Sequence, residues 1–230
     1  MKEFLCDSVF FGVMLSLLAY GAGVLLKKKF RLSVFNPLLI AIIIVMIVLA
    51  AFHVDYESYN QGAQYLSYLL TPATVCLAIP LYEQLEQLKK NIKAIICGIV
   101  SGVLTSLSSV LVLALLFGLS HEEYVTLLPK SITTAIGMGV SEELGGIVTI
   151  TVAVIIVTGV FGSMIADLVC RLFHITEPVA RGIGIGSSSH AVGTTRAMEM
   201  GEIEGAMSSL SIAVSGLLTV IGASIFSMFL

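Results

Sequence analysis

Long apolar runs alternate with short polar segments along this chain, and the lengths of the runs say what they form. Phe4–Leu26, Val34–Phe52, Ala94–Leu119, Ile147–Val169 and Met207–Leu230 are apolar, each near or above the ~20 residues that a helix needs to cross hydrocarbon. A sixth run, Gly62–Leu81, is interrupted by Pro72 and Pro80. Proline inside a membrane helix frees carbonyls that a neighbouring group or a cavity must satisfy. Two further segments, Lys130–Gly146 and Arg181–Gly201, are rich in Gly and hydroxyls and carry charge, so neither inserts alone as an ordinary span. The pattern predicts an all-α, polytopic membrane helix bundle of about seven or eight segments. Some of these segments are broken or re-entrant, and residues 1–230 form a single membrane domain.

Composition narrows the class. The chain is 57% hydrophobic and 12% charged, with a mean hydropathy of +1.02, whereas soluble domains carry about 25% charged residues. A net charge of −3 gives no argument for a nucleic-acid partner, and no basic group exceeds Lys27, Lys28, Lys29 and Arg31. Cys6, Cys76, Cys97 and Cys170 stand singly with no CxxC spacing, which suggests neither a metal site nor a disulfide framework. No cofactor is expected. The first apolar run lacks a preceding basic region and is followed by one, the pattern of a retained span rather than a cleaved signal peptide.

Nine of the 12 Lys and Arg residues fall in three places: Lys27 to Arg31, Lys89 to Lys93, and Arg171 with Arg181. The positive-inside rule puts all three on the cytoplasmic side and the N-terminus outside. Between Lys93 and Arg171 the chain must then cross an even number of times. Ala94–Leu119 and Ile147–Val169 already satisfy that parity, so Lys130–Gly146 is expected not to cross fully.

Three hydroxyl-rich, Gly- or Pro-interrupted segments each run into a carboxylate, at residues 71–84, 133–146 and 187–202. Repeated interrupted segments of this kind point to a secondary-transporter site, because broken helices expose termini that bind ions and anionic groups. In the second of them the adjacent Glu142 and Glu143 repel each other, which makes one of them a candidate proton carrier. Glu199 is a third candidate. The order Ser141, Glu142, Glu143 also fits a helix N-cap followed by first-turn acids. In the third segment, Arg196 is the only Arg or Lys after Arg181, and a guanidinium can clamp a carboxylate bidentately. Ser187, Ser188, Ser189, Thr194 and Thr195 offer further donors, as do Thr133 and Thr134 from the second segment. Gly186 and Gly193 allow close backbone approach, and a helix N-terminus near Thr194 would add amide donors. The ligand class read from these groups is a small organic anion. Arg196 equally fits an internal ion pair with Glu199 or Glu202. His190 fits either a titrating or substrate-orienting role or a hydrogen-bonded structural one. Gly98 with Gly102, and Gly201 with Gly205, have the spacing that lets helices approach closely, within one chain or between copies in a homo-oligomer. No Ser-His-Asp order, metal-ligand spacing or phosphate loop supports catalysis.

The strings KSITTAIGMGVSEELGGI (Lys130–Ile147), EPVARGIGIGSSSHAVGTTRAMEMGEIEGAMSSL (Glu177–Leu210) and NPLLIAI (Asn36–Ile42) resemble the LrgB/CidB family over nearly the whole chain. The resemblance implies a multi-pass protein of the bacterial inner membrane that works beside a smaller membrane partner of the LrgA/CidA type. It also brings two functional expectations. One is an antiholin-like role that restrains murein hydrolases and autolysis. The other is carriage of a small monocarboxylate of the pyruvate, glycolate and glycerate class, because a related plastid protein exchanges glycolate and glycerate. Thr133-Thr134-Ala135 departs from the proline-containing version expected of many relatives. The interrupted polar segments favour the carrier, since an antiholin role needs only helix surfaces.

Overall fold

A computed structural model describes residues 9–30, 35–69, 72, 75–76 and 78–230. Cys6, Arg31, Val34, the beginning of Phe4–Leu26 and parts of the 71–84 segment lie outside the described residues. Every regular element described is helical. The chain forms two units, Met1–Cys76 and Leu77–Leu230.

In the first unit, α2 (Pro37–Phe52) and α3 (Tyr56–Ser67) each pack on α1 (Val9–Phe30). Asn36 starts α2 by accepting the Leu38 amide at 2.9 Å, with Pro37 behind it, and proline costs nothing at a position whose N–H is unused. Asp55 caps α3 by accepting from the Ser58 amide at 2.8 Å. The Tyr59 hydroxyl lies 2.7 Å from Ser16 Oγ and joins α3 to α1.

The second unit holds α4 (Ala78–Glu83), α5 (Leu85–Phe117), α6 (His121–Leu127), α7 (Thr134–Glu143), α8 (Val148–Leu172), α9 (Pro178–Met200), α10 (Glu202–Phe226) and a closing 3₁₀ turn. Ile95, Ile99, Val103, Leu107, Val110 and Ala114 line one face of α5 and are buried. They form a core with α6, α9 and α10, whose buried members include Tyr124, Ile183 and Met207. Tyr124 is fully buried yet polar at its tip, and its hydroxyl donates to the Phe226 carbonyl at 2.9 Å.

Four described helices, α1, α5, α8 and α10, are long and apolar enough to cross a membrane, and α2 is a shorter apolar helix. Two of the expected spans start earlier than hydropathy suggests. The run read as Ala94–Leu119 begins at Leu85 and carries Lys89, Lys90 and Lys93 on helix, while Met207–Leu230 begins at Glu202. Helical hydrogen bonding runs on through these polar ends, which a hydropathy window excludes. The expected span Gly62–Leu81 begins inside α3, which ends at Ser67.

Both charged segments of the second unit are irregular. α7 has 10 residues, about 15 Å at 1.5 Å per residue, half the hydrocarbon thickness of about 30 Å. It does not cross by itself. α9 is broken at His190, whose backbone (φ 42°, ψ −142°) is not helical. The α9–α10 hairpin is held by close backbone approach. A Cβ on Gly182 would meet the Glu204 carbonyl oxygen at 2.5 Å, and one on Gly186 would meet Ser208 Cα at 2.8 Å. The freedom read at Gly186 is therefore taken up by the neighbouring helix. Gly98 and Gly102 face Ile183 and Ser187, so that pair packs α5 on α9.

Candidate functional site

A cleft of about 740 Å³ opens in the second unit between α5, the α6–α7 turn, α8 and the first half of α9. This lies within the range of small-molecule sites, about 300–1,000 Å³. α5 turns a stripe of small and hydroxyl residues toward it: Gly98, Ser101, Gly102, Thr105, Ser106 and Ser109. The spacing of three and four keeps them on one helix face. α8 supplies apolar wall, and α9 supplies Ser187, Ser188 and Ser189.

The charges in the lining are Lys130 and Arg181, with no carboxylate among the lining residues. Lys130 sits in the α6–α7 turn between the buried Leu128, Ser131 and Ile132, which fix the turn and aim the amine at α5. Its Nζ donates to Ser131 Oγ at 3.0 Å and reaches Ser106 Oγ at 3.4 Å, and the two hydroxyls lie 3.0 Å apart. Arg181 donates from Nε to the Ile175 carbonyl at 2.7 Å and faces Glu204 at 3.8 Å.

Of the residues singled out in the sequence, the structure brings Ser187, Ser188 and Ser189 to the cleft. Ser187 Oγ donates to Ile183 O and Ser188 Oγ to Gly184 O, both at 2.7 Å. Ser189 is seated against Gly162 of α8, where a Cβ would collide with its hydroxyl.

Arg196 lies elsewhere, on the second half of α9. It is paired with Asp167 of α8 and with Glu199, the latter at 2.5 Å. This is the ion-pair alternative with one added partner, and it engages Glu199 as well. His190 is buried, and its Nε2 lies 2.9 Å from the Ile155 carbonyl oxygen. A carbonyl only accepts, so Nε2 carries the hydrogen. Thr194 is buried between α9 and α10, with its hydroxyl 3.0 Å from the His190 carbonyl and 2.7 Å from Ser208 Oγ. Thr195 is exposed and bonds its own helix at Val192 O.

Thr133 caps α7 without a side-chain hydrogen bond, and Thr134 follows it. Neither lines the cleft. The N-cap expected at Ser141 is not formed, because Ser141, Glu142 and Glu143 are the last residues of α7. Ser141 is buried and its Oγ lies 2.7 Å from Thr151 Oγ1 on α8, while Glu142 and Glu143 are exposed. Among the described residues no cluster of His, Cys, Asp and Glu is placed to hold a metal.

Sequence reasoning missed three parts of this arrangement. Lys130 was not singled out, although a lone cation in a segment too polar to insert is itself a signal. Asp167 is the only acid in the run Ile147–Val169 and carried the same signal. The 98–109 stripe was visible as hydroxyls recurring every three or four residues, yet only its glycines were noted, as packing residues.

The fold and the cleft define a class: a helical membrane protein with a cationic, hydroxyl-lined recess. A family model, the LrgB-like family, matches residues 16–229, and this chain belongs to that family. It is 36% identical over 222 residues to the antiholin-like protein LrgB of Bacillus cereus (strain B4264), which covers 96% of each chain. The same identity and coverage hold for the antiholin-like protein LrgB of Bacillus anthracis (strain A0248). No solved structure matches the chain closely enough to carry an argument.

Proposed function

We propose that this chain works in the bacterial inner membrane as an antiholin-like protein, beside a small LrgA/CidA-type membrane partner, and restrains murein hydrolase activity. Whole-length similarity supports this: relatives bearing that name align with it over 96% of both chains. The reading involves no covalent chemistry. A second reading is favoured by one observation, the cleft lined by Lys130, Arg181 and hydroxyls without a carboxylate. A recess of one charge sign raises the local concentration of the opposite one. On this reading the protein carries a small 2-oxo or 2-hydroxy monocarboxylate by alternating access, with Glu142 or Glu143 as the proton-coupling group.

One pair of assays separates the two. The chain is expressed with its partner in a host lacking its own copies, and secreted murein hydrolase is followed by zymography. In parallel, proteoliposomes holding the protein are offered labelled pyruvate and glycolate under a pH gradient. Reduced hydrolase release with no uptake supports the antiholin-like reading. Saturable, gradient-dependent uptake supports the carrier and makes any effect on lysis secondary. Unchanged hydrolase release with no uptake, from correctly inserted protein, refutes both.

A further inference from the structure

We infer that Lys130, with the hydroxyls of Ser106 and Ser131, is the point in the cleft that binds the carboxylate of a small organic anion; the inference rests on the carrier reading. The hydrogens of these three groups outnumber their acceptors. The Lys130 ammonium has three donors and no acceptor, and two of its donors point at Ser106 Oγ and Ser131 Oγ. Those two hydroxyls lie 3.0 Å apart, so one donates to the other. What remains is one ammonium hydrogen and one hydroxyl hydrogen, and neither has an acceptor among the described residues. The three groups come from α5 and the α6–α7 turn, and all line the same recess.

A half-buried cation with no carboxylate beside it is costly, so the arrangement calls for an anion that comes and goes. Two hydrogens side by side match the two oxygens of one carboxylate. Arg196 differs, because it lies outside the cleft and its charge is already answered by Asp167 and Glu199. Arg181, on the same wall, is partnered by the Ile175 carbonyl and Glu204. Lys130 is thus the lining cation whose charge is left to a ligand.

The test is protection of a reporter cysteine. In a background with Cys6, Cys76, Cys97 and Cys170 replaced by Ala, since Cys170 itself lines the cleft, Thr105→Cys places a thiol one residue from Ser106 and Leu116→Cys places one on the exposed end of α5 away from it. Full-length protein is held in neutral phosphatidylcholine nanodiscs, so that no anionic headgroup competes. Maleimide labelling is timed with and without pyruvate, glycolate or acetate. The expected result is slower labelling of Thr105→Cys by at least severalfold, with no change at Leu116→Cys. Lys130→Gln should remove the protection and Lys130→Arg should retain part of it.

Protection that survives Lys130→Gln overturns the assignment. So does protection that appears only in phosphatidylglycerol discs without added carboxylate, which would make a lipid phosphate the ligand. Uptake in proteoliposomes without protection likewise overturns the site while leaving the carrier intact. Protection lost in Lys130→Gln, with no uptake, upholds the anion site and removes the carrier reading.

Discussion

A single methyl group at Gly186 tests whether α9 and α10 are joined by direct backbone approach. A Cβ there would stand 2.8 Å from Ser208 Cα and 2.8 Å from Ser211 Cβ. Both atoms belong to the frame of α10 and cannot swing aside as a side-chain tip does. Gly184, two residues earlier on the same helix, has nothing within 4 Å of the same added atom. Alanine favours helix over glycine by about 1 kcal/mol at either position, so comparing the two variants cancels propensity and leaves the packing cost. Forcing a methyl group into a filled contact costs about 1–3 kcal/mol. At about 2–4 °C per kcal/mol for a chain of this size, Gly186→Ala should melt about 2–12 °C below Gly184→Ala. The assay is size-exclusion chromatography of detergent-solubilised fluorescent fusions after heating in steps. Coincident midpoints for the two variants would refute the reasoning, since they would mean that α10 gives way freely where the structure puts its backbone against α9.

Other consequences concern the break in α9, the ion pairs and one exposed cap. A Cβ on Gly159 would stand 2.5 Å from two atoms of the His190 ring, so Gly159→Ala and His190→Ala should each lower thermal stability. The second removes the buried hydrogen bond from the ring to the Ile155 carbonyl, worth about 0.5–1.5 kcal/mol; unchanged melting in both would show that the ring does not hold the break. Arg196→Met and Asp167→Asn should each destabilise, and the double variant should recover part of the loss. Strict additivity in that double-mutant cycle would mean that the pair contributes nothing. Hydrogen bonds from the Ser120 backbone amide and hydroxyl hold the Glu123 carboxyl below its ordinary value of 4.5. The cap of α6 is therefore intact above that pH and weakens as pH falls through the depressed value. Hydrogen-exchange protection in the first turn of α6, measured relative to the intrinsic rate at each pH, should fall below pH 4.5, and Glu123→Gln should abolish that dependence.

The helices that hydropathy reveals are those whose burial is by lipid or core, and their existence was plain in the runs from Phe4, Val34, Ala94, Ile147 and Met207. Their ends were less so. α5 continues through Lys89, Lys90 and Lys93 because a helix hydrogen-bonds irrespective of polarity, and Ser141-Glu142-Glu143, whose order also fits a first turn, closes α7 because Ser-Glu-Glu suits either end. The candidate site was half legible for a different reason. Serine hydroxyls at 187–189 announce themselves as a cluster, but whether Arg196 meets a ligand or Asp167 depends on how α8 and α9 are registered, 29 residues apart in the chain. Lys130 was hidden by its neighbours. Glu142 and Glu143 dominate its segment in sequence yet lie at the exposed end of α7, while the turn that carries the lysine is the buried part.

The serines of α10 and the histidine of α9 make different demands on biogenesis. Ser209, Ser211 and Ser215 are buried, yet each donates to a carbonyl of its own helix, at 2.9, 2.8 and 2.5 Å. α10 thus satisfies these hydroxyls before it meets any neighbour. The break at His190 is another matter, because the imidazole N–H that steadies it is received by Ile155, a residue of α8. During synthesis α8 leaves the ribosome first, so the acceptor is waiting when α9 arrives. Order of translation and order of assembly coincide at this joint, and a circular permutant opened between α8 and α9 would separate them.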